Sequence, residues 1–110
     1  MPAITITAVV FPQDGMWIAQ CLEYNFVSCA ATLDELPGEL IRQVRAQIEV
    51  DLEAGEEPFT GFKKAAPKYW RMYEEVRAHS RPLKPSLLER ARALLSGGID
   101  ARLFPVAKAA

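Results

Sequence analysis

Met16-Trp-Ile-Ala-Gln-Cys-Leu22, Glu23-Tyr-Asn25 and Phe26-Val-Ser-Cys-Ala30, followed after Ala31 by Thr32-Leu-Asp-Glu-Leu36, is the stretch that decides the fold. Two short apolar runs flank a turn at Glu23-Tyr-Asn25 and read as neighbouring strands. Upstream, the β-branched run Ala3-Ile-Thr-Ile-Thr-Ala-Val-Val-Phe11 reads as another strand. Pro12-Gln-Asp-Gly15 joins it to Met16 as a turn with glycine last, suited to a hairpin. The result is a β-meander. Trp17, Ala19 and Cys21 fall on one face, Ile18 and Leu22 on the other. A sheet with one wet face alternates more strictly. Both faces are therefore expected to be covered, the second by the C-terminal half or by another subunit.

Downstream, Thr32 and Glu35 have the spacing of a capping box. Leu36, Leu40, Val44, Ile48 and Leu52 recur every four residues with Leu33 and Ile41 on the same flank, while Arg42, Arg45, Glu49 and Glu53 occupy the opposite arc. This predicts an amphipathic helix lying on the sheet and ending near Ala54-Gly55. Pro37, past the first turn counted from Thr32, predicts a kinked or tightened first turn, or a helix that starts at Pro37. Residues 55–67 read as a linker whose Phe59 and Phe62 dock it onto something.

Pro67 suits a first helical position, and Tyr69, Met72, Tyr73 and Val76 form a helical stripe with Trp70 beside it. Arg81-Pro-Leu-Lys-Pro85 breaks that helix. Ser86 and Glu89 open another, with Leu87, Leu88, Ala91, Leu94 and Leu95 on one face, and Ser96-Gly97-Gly98 stops it. Ile99-Asp-Ala-Arg-Leu-Phe104 reads as a last short strand. The expected architecture is one α+β domain: a three- to four-stranded antiparallel β-meander with one long helix packed on it, plus two short C-terminal helices. Residues 1–55 form the core, and residues 56–110 form a basic extension packed on that core or on a second subunit.

With 110 residues, half of them apolar, the chain has enough hydrophobic surface for one modest core, which excludes a disordered tail. No apolar stretch approaches the roughly 20 residues that span a membrane. The start MPAITITAVV lacks the features of a signal peptide, so a cytoplasmic protein is expected. The formal net charge of −1 hides an asymmetry. Residues 1–60 carry ten acids against Arg42 and Arg45, net −8, whereas residues 61–110 carry eleven bases against four acids, net +7. An acidic body and a basic C-terminal half suit self-association as a homodimer or higher oligomer, or capture of a basic partner.

Chemistry is sparse. There is no G-x-S-x-G elbow and no phosphate-binding glycine loop, and the acids lie on the outer helix arc or in turns. No catalytic residue, metal or cofactor is expected, and the chain reads as a non-enzyme. Cys21 and Cys29 lack the companions of a zinc site. They read as two small buried hydrophobes in strands close enough to be cross-strand neighbours. His79 reads as a cation at a helix end, and Glu23 as a solvated turn residue. Lys68-Tyr-Trp-Arg-Met-Tyr73 has two readings. In one, Lys68, Trp70 and Arg71 contact RNA. In the other, which we favour, Tyr69, Tyr73 and Val76 pack inward while Lys68 and Arg71 face water.

Asp14-Gly15, Trp17-Ile18-Ala19 and Thr32-Leu33-Asp34-Glu35, together with the helix to Leu52, resemble the HicB-like superfamily of small bacterial proteins over residues 4–54. The resemblance implies a β-β-β-α-β fold related to a ribonuclease-H-like or double-stranded-RNA-binding-like core. It also implies an antitoxin-like role, binding and blocking a small basic toxin protein. On that reading Glu39, Glu49 and Glu53 form the acidic partner-binding face. The C-terminal half has too few residues after Pro85 for a helix-turn-helix or ribbon-helix-helix domain.

Overall fold

A computed structural model describes residues 4–78 and 99–106. His79, the helix opened by Ser86 and Glu89, and its stop at Gly97-Gly98 lie outside the described residues. The elements run β1 (Ile4–Gln13), β2 (Met16–Cys21), β3 (Val27–Ala30), α1 (Leu36–Glu53), α2 (Pro67–Val76) and β4 (Ile99–Pro105). The class is α+β. The strands form one four-stranded sheet in the order β3-β2-β1-β4.

The hairpin loop is Asp14-Gly15 alone, since Gln13 already pairs with Met16. Both loop residues have positive φ, 52° and 79°. That is the mirror-image turn matching the twist of a two-residue hairpin, and glycine adopts it without a Cβ penalty. β2 then pairs antiparallel with β3. The expected all-antiparallel sheet is corrected at the far edge: β4 runs parallel to β1, from Ile4↔Ile99 to Val10↔Pro105. The connection between β3 and β4 carries α1 and α2, long enough to return the chain to the starting end of β1 as parallel pairing demands.

Each face of the sheet carries its own apolar layer. On one, Ile6, Ala8 and Val10 of β1, Ala19 and Cys21 of β2 and Leu103 of β4 pack beneath Leu40, Ile41, Val44 and Ile48 of α1. On the other, Val9 and Leu22 meet Tyr69, Trp70, Met72 and Tyr73 of α2. Tyr69 stacks on Phe11 at 6.3 Å, and Tyr73 meets Phe104 edge-on at 5.3 Å. Leu22 is thus covered by the C-terminal half of the same chain, whereas Ile18, on the same face, stays half-buried outside that layer.

Three details of α1 differ from expectation. Thr32 and Glu35 do bond each other, hydroxyl to carboxylate at 2.7 Å and backbone N–H to hydroxyl at 3.3 Å, but in a turn ahead of the helix. The helix proper begins at Leu36 and places Pro37 in its first turn, where a missing N–H costs nothing. Leu52 is 49% exposed, because each four-residue step advances about 40° round the axis and the leucine row has left the sheet by then. Arg45 is half-buried instead of outward, its Nε and Nη2 out of water and without an acceptor among the described residues.

Candidate partner-binding surface

The last two turns of α1 form an exposed surface of mixed acidic and apolar residues. Glu49, Val50, Leu52 and Glu53 are all exposed there, Val50 by 59%. Gly55, at φ 76°, ends the helix in the left-handed conformation that suits glycine, and exposed Glu56 and Glu57 follow. No basic residue occupies the last turn of α1. Carboxylates at a helix C-terminus oppose the macrodipole, and like charges four residues apart repel. Among the described residues no cation pairs with Glu49 or Glu53. The end of α1 is therefore an acidic, partly apolar surface that an external cation would relieve.

Of the three sequence-selected acids, Glu49 and Glu53 share this surface and Glu39 does not. Glu39 lies ten residues earlier, roughly 15 Å along the axis, and its carboxylate is paired with Arg42 at 2.6 Å. The structure also separates Lys68, Trp70 and Arg71. Lys68 and Arg71 are exposed on α2 beside Glu74 and Glu75, giving a mixed-charge face. Trp70 packs into the second apolar layer, with the Lys64 ammonium 5.8 Å from its ring. The Lys68 ammonium lies over Tyr69 at 4.9 Å.

Beyond α1, residues 55–66 fold back along the turn after β2. Ala65 donates its backbone N–H to the Leu22 carbonyl at 2.9 Å, and Asn25 donates to Lys63 at 2.6 Å. Phe59, only 3% exposed, anchors the loop. Its ring stacks on Tyr24 at 4.4 Å and on Phe26 at 5.5 Å, and meets Phe62 edge-on at 5.2 Å. Phe59 holds a left-handed backbone, φ 62°, rare for a bulky residue. The Asp51 carboxylate accepts its N–H at 2.8 Å, and Gln47 Nε2 donates to the same carboxylate at 3.0 Å. Phe26, Phe59, Phe62, Gln43 and Gln47 line an open notch of about 50 Å³.

Sequence reasoning missed the notch. Its signal was present as the Phe59-x-x-Phe62 pair and the row Gln43, Gln47, Asp51 at four-residue spacing, one helix face that the apolar row does not occupy.

Three further residues behave differently from expectation. Glu23 is not a free turn carboxylate: it accepts the Thr7 backbone N–H at 2.6 Å and the Thr7 hydroxyl at 2.7 Å. The cysteines are not cross-strand partners, since Cys29 faces Ile18 and Cys21 faces Ala8. Cys21 is buried and Cys29 exposed. Burial, with a smaller contribution from Glu23, pushes the Cys21 thiol far above its ordinary value. Among the described residues no three His, Cys, Asp or Glu side chains converge to hold a metal ion. No described helix is long and apolar enough to cross a membrane. No family model, curated protein or solved structure matches the chain.

Proposed function

We propose that this chain is a non-enzymatic, HicB-like protein-binding module that masks a small basic protein with the acidic end of α1. The observation that carries the reading is the joining of Glu49 and Glu53 to exposed Val50 and Leu52 at the negative pole of the helix. A basic partner would neutralise the carboxylates while its apolar residues cover the valine and leucine. Complementary charge steers such an encounter, and the apolar contact holds it. The order β1-β2-β3-α1, with β4 closing the sheet, is also the order a HicB-like core requires.

The test is recovery of the tagged full chain from its own cells at native level, with and without ribonuclease, followed by mass spectrometry and light scattering. A small basic protein retained after ribonuclease, and lost when Glu49 and Glu53 are both changed to Lys, is the expected result. RNA-dependent recovery would overturn it in favour of RNA contact through Lys68, Trp70 and Arg71. Recovery of this chain alone, as a dimer or tetramer, would overturn it in favour of a self-assembling module.

A further inference from the structure

The two edges of the sheet are built differently. β4 carries Asp100 and Arg102, paired at 3.2 Å, and ends in Pro105. Charge and proline on an edge strand discourage pairing with another chain. β3, Val27-Ser-Cys-Ala30, has neither. Its backbone directions follow from its pairing with β2. Cys21 donates its N–H to the Phe26 carbonyl at 3.0 Å, and inward-bonded residues alternate along an antiparallel ladder. Ser28 and Ala30 therefore turn their backbone groups to β2, while Val27 and Cys29 turn theirs outward. Gln43 Nε2, which reaches the Val27 carbonyl at 3.0 Å from α1, agrees with that direction. The Val27 N–H and the Cys29 N–H and carbonyl have no partner among the described residues.

The side chains at this edge are as incomplete as the backbone. Ala30 packs in the α1 layer and Ser28 is buried on the same face. Val27 and Cys29 alternate onto the other face, and both are exposed, Val27 by 45%. Register sets Cys29 beside Ile18, which stays half-buried outside the α2 layer. Apolar side chains and outward N–H and C=O groups thus coincide on one edge. The strand is uncharged, so a basic segment laid there would find no acid in β3 to meet its charges. A second β3 is neutral and of the same length. With the two strands antiparallel about a two-fold axis at Ser28, Val27 of each copy faces Cys29 of the other. Each such pair exchanges two hydrogen bonds, the self-complementary pattern of a symmetric dimer. Val27, Cys29 and Ile18 of one copy then meet the same residues of the second.

We propose that this chain forms a symmetric dimer by antiparallel pairing of β3 with β3 of a second copy, joining the two sheets into one. Pairing takes the Val27 carbonyl from Gln43, an exposed side chain that can turn to water instead. Glu49 and Glu53 lie six and ten residues beyond Gln43, roughly 9 and 15 Å along the helix axis. They take no part, so the dimer neither rests on the basic-partner reading nor conflicts with it.

The test is sedimentation equilibrium of the full-length protein across a wide concentration series, with reductant present to prevent a Cys29 disulfide. Backbone amide exchange is followed over the same series. A reversible dimer is expected, with the Val27 and Cys29 N–H groups gaining protection as it forms. Cys29→Lys, at an exposed position whose backbone faces away from β2, should keep the folded spectrum and abolish the dimer. Gln43→Ala should tighten it about fivefold or more, because a competing hydrogen bond is removed at each of two carbonyls. A monomer at every concentration would overturn the proposal. So would a dimer that persists in Cys29→Lys, or one lost in the Glu49→Lys, Glu53→Lys double variant. Protection of Val27 and Cys29 that requires another protein would overturn it in favour of that protein's strand on the same edge.

Discussion

The carboxylate of Asp51 holds Phe59 in place: Oδ2 accepts the Phe59 backbone N–H at 2.8 Å while that residue sits at φ 62°. The left-handed backbone is unfavourable for a bulky side chain, and the charge-assisted bond offsets it. The ring is thereby delivered onto Tyr24 and Phe26, with Phe62 edge-on. Asp51→Ala should lower stability by about 2 kcal/mol, within the range for a lost hydrogen bond to a charged group, read as a drop in the urea midpoint. It should also loosen the loop, seen as faster amide exchange at Phe59. An unchanged midpoint would mean the loop is held by ring packing alone.

Glu23 stands in for a strand. β2 leaves β1 after Leu22, whose N–H still reaches the Thr7 carbonyl at 2.9 Å, and the Glu23 carboxylate then takes the Thr7 N–H and hydroxyl. Glu23→Ala strips both partners and should cost about 1–3 kcal/mol. Glu23→Gln keeps an acceptor for the N–H, and its amide nitrogen can donate to the hydroxyl, so it should retain most of the stability. Equal losses in the two variants would show that charge, and not the bonding pattern, matters.

Arg45 on α1 carries two guanidinium nitrogens, Nε and Nη2, that are shielded from water and have no acceptor among the described residues. Arg45→Met preserves the aliphatic stem and helix propensity and removes the buried donors. Thermal unfolding should show a variant more stable by about 1 kcal/mol. A destabilised variant would mean that the guanidinium is satisfied in solution.

The two thiols should behave unequally. A thiol reagent added to native protein should label Cys29 alone and reach Cys21 only on unfolding, following their burial. The raised thiol of Cys21 means that the folded state binds its proton more tightly than the unfolded chain. Its contribution to stability is intact below the ordinary thiol value of 9.0 and lost as pH rises above it. The loss should approach about 1.4 kcal/mol per pH unit. Cys21→Ala should flatten this part of the stability profile, and an equally steep profile in that variant would assign the slope to other groups.

Local pattern made the hairpin and α1 legible. Asp14-Gly15 marks the tight turn between β1 and β2, and Leu40, Val44 and Ile48 mark the buried face. Leu22, apolar on the face opposite Ala19 and Cys21, signalled a second layer, which α2 supplies. The direction of β4 was not legible, because strand orientation depends on where the intervening helices carry the chain. Glu23 was hidden for a related reason. Its partner Thr7 lies 16 residues away, and only three-dimensional pairing reveals that β1 is short of a neighbour there. Arg45 and Leu52 were misplaced because a four-residue repeat was read as a straight line, whereas it winds about the helix. The acidic surface was half legible. Glu49 and Glu53 stand together, but Glu39 was grouped with them by charge alone, and the contributions of Val50 and Leu52 needed the exposed helix end.

The measurement that bears most directly on the central claim is the association rate of the recovered basic partner, followed across ionic strength with wild type and with the Glu49→Lys, Glu53→Lys double variant. Steering by the acidic end of α1 predicts an association about tenfold slower or more in the variant, together with a flatter dependence on salt. The same rate and the same salt dependence in both proteins would contradict the account.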